Sequence, residues 1–479
     1  MILGRIASRT YYTSRTKKPT LYSKISPLGN HSTIVPELDD WLFNGNKLRL
    51  AELQRIIRDF RKRNRFSQAL QVSQWMHNNG ICIFTPTEHA VHLDLIGKVH
   101  GFSAAETYFN DLKDPHRTPK TYGALLNCYV RQHQTDKALS HLMKMKELGF
   151  ASSPLTYNDI MCLYTNIGQH HKVLGVLTEM KQDGVSPDNF SYRICINSCG
   201  VRSDIDGMER ILKEMENQSD IVMDWNTYSI VANFYIKLGF AGDAVCALKK
   251  AEERLDMKNG QGYNHLITLY ARLRMKSEVL RIWDLEKSAC KRYLNRDFDA
   301  MLKSLVKLEA FDEAEGILRD WESSGNCYDF GIPCVVIIGY SQKGMQEKAE
   351  AMLEDLQKKG KVTTPNCWGV VAEGYLDKGE MERALRCFKR ALSLCVEDKG
   401  WKPNPKVMAG LLSWVGDNGS VEDAQDLVTL LKNLVPANRQ MYHALIKSYK
   451  RGGKEVDQLL DRMKEDNIDQ NSETRKLLK

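Results

Sequence analysis

Apolar positions along this chain recur at helical spacing, in blocks separated by short polar breaks. In residues 119–153, Tyr122, Leu125, Leu126, Tyr129 and Val130 stand at offsets of 0, 3, 4, 7 and 8, one face of an α-helix. A polar break from Arg131 to Asp136 leads to Ala138, Leu139, Leu142, Met143 and Met145, the face of a second helix. Gly149 follows as a stop, because glycine takes the left-handed helix-ending conformation at little steric cost. The next block copies this order with Tyr157, Ile160, Met161 and Tyr164, then Val173, Val176, Leu177 and Met180, then Gly184.

The copying continues along the chain at a fixed period. An aromatic recurs at Tyr122, Tyr157, Tyr192, Tyr228, Tyr263 and Phe298, in steps of 35 or 36, and returns at Trp368 and Tyr442. A small or apolar residue follows the same step from Ala138 through Val173, Met208, Ala244, Val279, Ala314, Ala349 and Ala384, then Ala424. A third series holds Tyr129, Tyr164, Tyr235, Tyr270, Tyr340, Tyr375 and Tyr449, and a fourth Gly168, Gly239, Gly344, Gly379, Gly419 and Gly453. No isolated helix pair can bury both of its apolar faces, so successive pairs must stack. The pattern predicts an all-α fold, a right-handed α-solenoid superhelix of two-helix repeats. Twelve units fit between residues 50 and 471, with a five-residue excess in the unit 365–404, near Cys395–Gly400. Residues 37–49 read as a linker or N-terminal cap and 472–479 as a charged tail.

The period and opening residues separate two repeat classes. A tetratricopeptide unit has a period of 34 and opens W-x₂-L-G-x₂-Y; here the step is 35 and the glycine follows the first helix. The runs Thr121-Tyr122-Gly123-Ala124-Leu125-Leu126, Thr156-Tyr157-Asn158-Asp159-Ile160-Met161 and Gly184-Val185-Ser186-Pro187-Asp188 resemble the pentatricopeptide repeat motif. So does Gly339-Tyr340-Ser341-Gln342-Lys343-Gly344 with Glu347-Lys348-Ala349-Glu350. The chain resembles the P subfamily of that family, the land-plant organellar type.

The resemblance implies binding of single-stranded organellar RNA, about one base per repeat, read by two or three side chains. The residue one place after the aromatic and the last residue of the unit would read the base edge. Carried over unit by unit, these are Asn158 with Asp188, Arg193 with Asp224, and Ser229 with Asn259, while Asn264 keeps half a pair with Leu294. Asn158 with Asp188 matches a family pair implying uracil, and Ser229 with Asn259 resembles one implying adenine. Gly123, Cys334, Gly369 and Ala409 stand at the same place without the usual hydrogen-bonding side chain. An apolar residue two places before the aromatic would sandwich bases, a place held here by Leu155 and Phe190. Lys120 and Arg296, at that same place, are candidate phosphate contacts.

Charge sharpens this picture. The full chain of 479 residues carries 68 Lys and Arg against 60 Asp and Glu. Residues 1–36 hold Arg5, Arg9, Arg15, Lys17, Lys18 and Lys24 and many hydroxyls, with no acid before Glu37. That composition is that of an organelle transit peptide, with the mitochondrion favoured by the early arginines and the chloroplast as the alternative. Beyond residue 65 the balance is 54 basic to 55 acidic, so RNA binding must rest on local patches. The densest of these is the run Arg58, Arg61, Lys62, Arg63 and Arg65.

Twelve cysteines without a CxxC pair read as reduced thiols in helix cores, not a metal or disulfide framework. The longest apolar run, Cys334–Ile338, is far short of a membrane span. No P-loop, HExxH or GxSxG occurs, so neither enzyme nor cofactor is expected. A scaffold such as a mitochondrial ribosome constituent or assembly factor is the competing reading.

Overall fold

The computed structural model describes residues 20–29, 32–46, 48–256, 259–290, 292–395 and 400–478. All regular secondary structure among them is helical, and none of the helices is long and apolar enough to cross a membrane. Two compact units divide the chain, residues 1–223 and 224–479.

In both units the repeats appear as antiparallel-reading helix pairs at the expected places. Pro154–Asn166 precedes Val173–Gln182 in the first unit, and Gly260–Arg272 precedes Lys276–Ala289 in the second. Between Leu50 and Glu465 the described helices form twelve such pairs. Several first helices start where the unit-ending residue supplies a cap: Asp188 accepts from Ser191 N–H, Asp224 from Thr227 N–H, Asn259 from Gln261 N–H and Asn438 from Met441 N–H. Pro119, Pro154, Pro365 and Pro405 follow caps directly, where a missing N–H is harmless.

The small-residue series forms the seam between paired helices. Ala138, Val173, Met208, Ala244, Val279, Ala314, Ala349, Ala384 and Ala424 are all fully buried. Tyrosines of the third series stitch repeat to repeat: Tyr129 Oη donates to Glu106 at 2.7 Å and Tyr375 Oη to Glu350 at 2.7 Å, each reaching the preceding unit's second helix. The turn between paired helices needs a left-handed residue. Gly168, Gly239, Gly344, Gly379 and Gly453 supply it, and where glycine is absent His133, Ser203, Arg274 and Glu309 adopt positive φ themselves. Gly419 differs, with φ at −75°, because Ser420 begins the next helix as its cap.

Among the described residues, helices flank the repeat array at both ends. Residues 1–19, the core of the expected leader, lie outside the described residues, as do 396–399 within the five-residue excess. From residue 20 the chain packs on the first repeat: Leu21, Ile25 and Ile34 are fully buried. Arg65 donates to the carbonyls of Ser26 and Leu28 at 2.7 and 2.6 Å, and Gln71 accepts from Ile34 N–H at 2.9 Å. Arg65 is therefore a structural clamp within the basic run. At the other end the residues read as a tail form the helix Ser472–Leu478, with Thr474 buried and bonded to His443 Nε2 at 2.8 Å.

Candidate nucleic-acid interface

The first unit brings Asn158 and Asp188 together. Asn158 sits one place after the buried Tyr157, and its amide Nδ2 donates to Asp188 Oδ1 at 3.1 Å. Ser191 Oγ donates to Asn158 Oδ1 at 2.7 Å, closing a small network across two repeats. Burial pushes the Asp188 carboxyl up, but hydrogen bonds from Ser191 and Asn158 outweigh it and hold the group below the usual carboxylate range. Asp188 thus presents a charged acceptor at the helix start, and Asn158 is itself only 2% exposed. Leu155 and Phe190 occupy equivalent places in the two repeats that share this pair, and they are 62% and 46% exposed.

A groove of about 570 Å³ runs along the first helices beside this slot, lined by Arg61, Lys98, Lys120, Asn127, Leu155 and Asp159 among others. Arg61 and Lys98 share the single carboxylate of Asp94 at 2.8 and 2.9 Å, and Arg131 stands 3.6 Å from it, leaving that cluster net positive. Lys120, exposed, donates to Thr87 Oγ1 at 2.8 Å. Asp159 is pushed up to about 6 by burial, against the pull of Asn127 and Arg131, so its charge opposes an anion less than its identity implies. Arg193 is half-buried on Asn189–Val201. Its sequence partner Asp224 belongs to the other unit, where it caps Trp225–Leu238.

In the second unit the remaining candidates are placed differently. Ser229 is fully buried and its Oγ has no hydrogen-bond partner. Asn259 caps Gly260–Arg272 through Gln261 N–H at 3.1 Å, and no direct bond joins it to Ser229 among the described contacts. Asn264 Nδ2 donates to Asp297 Oδ1 at 2.6 Å while its own Oδ1 is buried without a partner. Arg296 is exposed and its Nε lies 3.3 Å from Asp297 Oδ1. Among the described residues no group of three or more His, Cys, Asp or Glu could hold a metal ion.

Two features escaped reading one repeat at a time. The base-reading place contacts a residue about 33 positions on, just before the next aromatic: Asn158 meets Ser191, Asn264 meets Asp297, and Cys334 meets Cys367. The second feature is Glu286, fully buried with both carboxylate oxygens unpartnered. It stands seven places after Val279, where the other repeats hold buried Met145, Met180, Met215, Ala251, Trp321, Leu356, Ala391 and Leu431. A single charge in an otherwise apolar column was the available signal. Gly260 makes room for it, since a Cβ there would lie 2.4 Å from Glu286 Oε1.

Comparison with known proteins bears on what this repeat array is. A model of the PPR repeat family matches residues 152–201, and a PPR repeat model matches 120–150, 190–219 and 334–360. A mitochondrial pentatricopeptide repeat-containing protein of Arabidopsis thaliana is 56% identical over 99% of this chain and 96% of its own. This chain belongs to the pentatricopeptide repeat family. A second such mitochondrial protein of that plant is 35% identical over 86% of this chain and 84% of its own. The large ribosomal subunit protein mL101 of the same plant is 35% identical over 94% of this chain and 92% of its own. The fold matches the pentatricopeptide repeat protein PPR10 from maize with a TM-score of 0.52, at 19% identity, covering 93% of this chain and 65% of that one. The mitochondrial localisation expected from the basic leader is the one these Arabidopsis relatives carry in their names.

Proposed function

We propose that this pentatricopeptide repeat protein binds single-stranded mitochondrial RNA without catalysis, helping to process, stabilise or translate a transcript by covering it. The observation that carries this reading is the slot at Asn158. A polar pair bonded at 3.1 Å stands in the repeats that expose Leu155 and Phe190 at equivalent places. Base faces take apolar contact and base edges need polar partners; the exposed Asp188 carboxylate is the acceptor offered to a base edge, and the buried Asn158, bonded to Ser191 and Asp188, positions it. The Arg61, Lys98 and Lys120 groove beside it supplies cations for the backbone. A second reading, a protein-interacting constituent of the mitochondrial ribosome, is favoured by the similarity to the ribosomal protein mL101. Few base-reading places also carry free polar atoms: Ser229 is fully buried, and Asn264 is tied to Asp297.

The test is Asn158→Ala with Asp188→Ala. Preference for uridine is expected to be lost at one nucleotide of the bound site, with the rest of the footprint unchanged, read by binding to a library of single-base oligonucleotide variants. Unaltered preference at every position would remove this pair from the reading.

A further inference from the structure

In the second unit Cys334 Sγ and Cys367 Sγ lie 2.7 Å apart. Cys334 is on the first helix Gly331–Gln342 of one repeat and Cys367 on the first helix Pro365–Lys378 of the next. A bonded pair stands at about 2.05 Å, so little motion separates these thiols from a disulfide. The contact is built by the repeat register. The same place, counted from the aromatic, joins Asn158 to Ser191 and Asn264 to Asp297 with hydrogen bonds of 2.7 and 2.6 Å. Where those interfaces place two polar side chains, this one places two sulfurs. Among the other described cysteines no second Sγ–Sγ contact occurs within hydrogen-bonding distance.

We propose that Cys334 and Cys367 form a reversible redox site, closing a disulfide between consecutive repeats on exposure to a low-molecular-weight disulfide such as oxidised glutathione. The two sulfurs have different access. Cys334 is half-buried and reachable, whereas Cys367 is fully buried. The hydrogen bond from Cys367 favours the thiolate on Cys334, and the same bond together with burial holds Cys367 as a thiol. The Cys334 thiolate attacks one sulfur of the small disulfide, forming a mixed disulfide and expelling one thiolate. Cys367 then gives up its proton and attacks Cys334 Sγ, forming the Cys334–Cys367 bond and expelling the second thiolate. Two protein thiols lose two protons and two electrons, and one small disulfide becomes two thiols. The bond clamps the two first helices together and restricts the chain between them, which lowers the entropy of the unfolded state. Cys334 also holds its repeat's base-reading place, so an effect on RNA rests on the proposed function, whereas bond formation does not.

The full-length protein is reduced, exposed to oxidised glutathione without RNA, quenched in acid, alkylated and digested without reductant for mass spectrometry. A Cys334–Cys367 linked peptide is expected, lighter by two hydrogens, exceeding any link that involves the exposed Cys246 or Cys327. Dithiothreitol should restore both thiols. Cys367→Ser should stop the reaction at a glutathione adduct on Cys334. The wild-type linkage map decides the matter even if that variant folds poorly. Recovery of both residues alkylated, or as separate glutathione adducts, while the exposed cysteines oxidise, would overturn the proposal.

Discussion

Glu286→Gln is expected to stabilise the protein at neutral pH, by about 3 kcal/mol at pH 7, and to leave stability at pH 4.5 nearly unchanged. Burial, with the negative charge of Asp297 added and Arg296 opposing, pushes the Glu286 carboxyl up to about 8 from 4.5. The folded chain therefore keeps the proton through a range in which the unfolded chain has lost it. Between pH 4.5 and 8 the unfolded state binds fewer protons, so wild-type stability falls as pH rises and levels off above 8. Glutamine keeps the shape of the protonated carboxyl but does not titrate, so the difference between variant and wild type should grow across that window. Denaturant unfolding at pH 5, 6, 7 and 8 checks it. Parallel curves for the two proteins would show that Glu286 is not held neutral.

Leu155→Ala with Phe190→Ala is expected to weaken binding of single-stranded RNA strongly while leaving the fold intact. Stacking of a base on an aromatic side chain such as Phe190 is worth about 1–3 kcal/mol, or roughly 5- to 150-fold in affinity, and loss of the Leu155 contact adds to it. Both side chains are exposed, at 62% and 46%, so their removal opens no cavity. Stability should stay within about 0.5 kcal/mol of the parent. Filter binding beside a thermal melt separates the two effects. Unchanged affinity would move the RNA away from this slot.

The repeat architecture was legible because solenoid packing makes the same demand every 35 residues. The seam series is fully buried in all nine instances, from Ala138 to Ala424, and only the spacing was needed to find it. The turn was less legible, since backbone geometry imposes it whatever the residue. Glycine marks it at Gly168 and Gly239, but His133, Ser203, Arg274 and Glu309 adopt the same positive φ and leave no compositional trace.

Composition and packing overlap in residues 20–36. The acid-free stretch runs to residue 36, yet Leu21, Ile25 and Ile34 are buried against the first repeat. Burial depends on a partner surface that composition does not display. The candidate base-reading residues were found by register, but their hydrogen bonds were not. Whether Asn158 faces Ser191, or Asn264 faces Asp297, depends on the next repeat as much as on its own. Reading columns across repeats, as for Glu286 among eight apolar residues, recovers part of that information.

The most direct measurement uses protein lacking residues 1–19, which retains the buried Leu21, Ile25 and Ile34. Its binding to uridine-containing single-stranded RNA is followed across a salt series, alongside cosedimentation with mitochondrial ribosomes after nuclease treatment. Binding at low salt that weakens as salt rises, with nuclease releasing the protein from ribosomes, is the expected result. No binding even at low salt, with nuclease-resistant cosedimentation, would contradict RNA recognition and leave the ribosomal scaffold in its place.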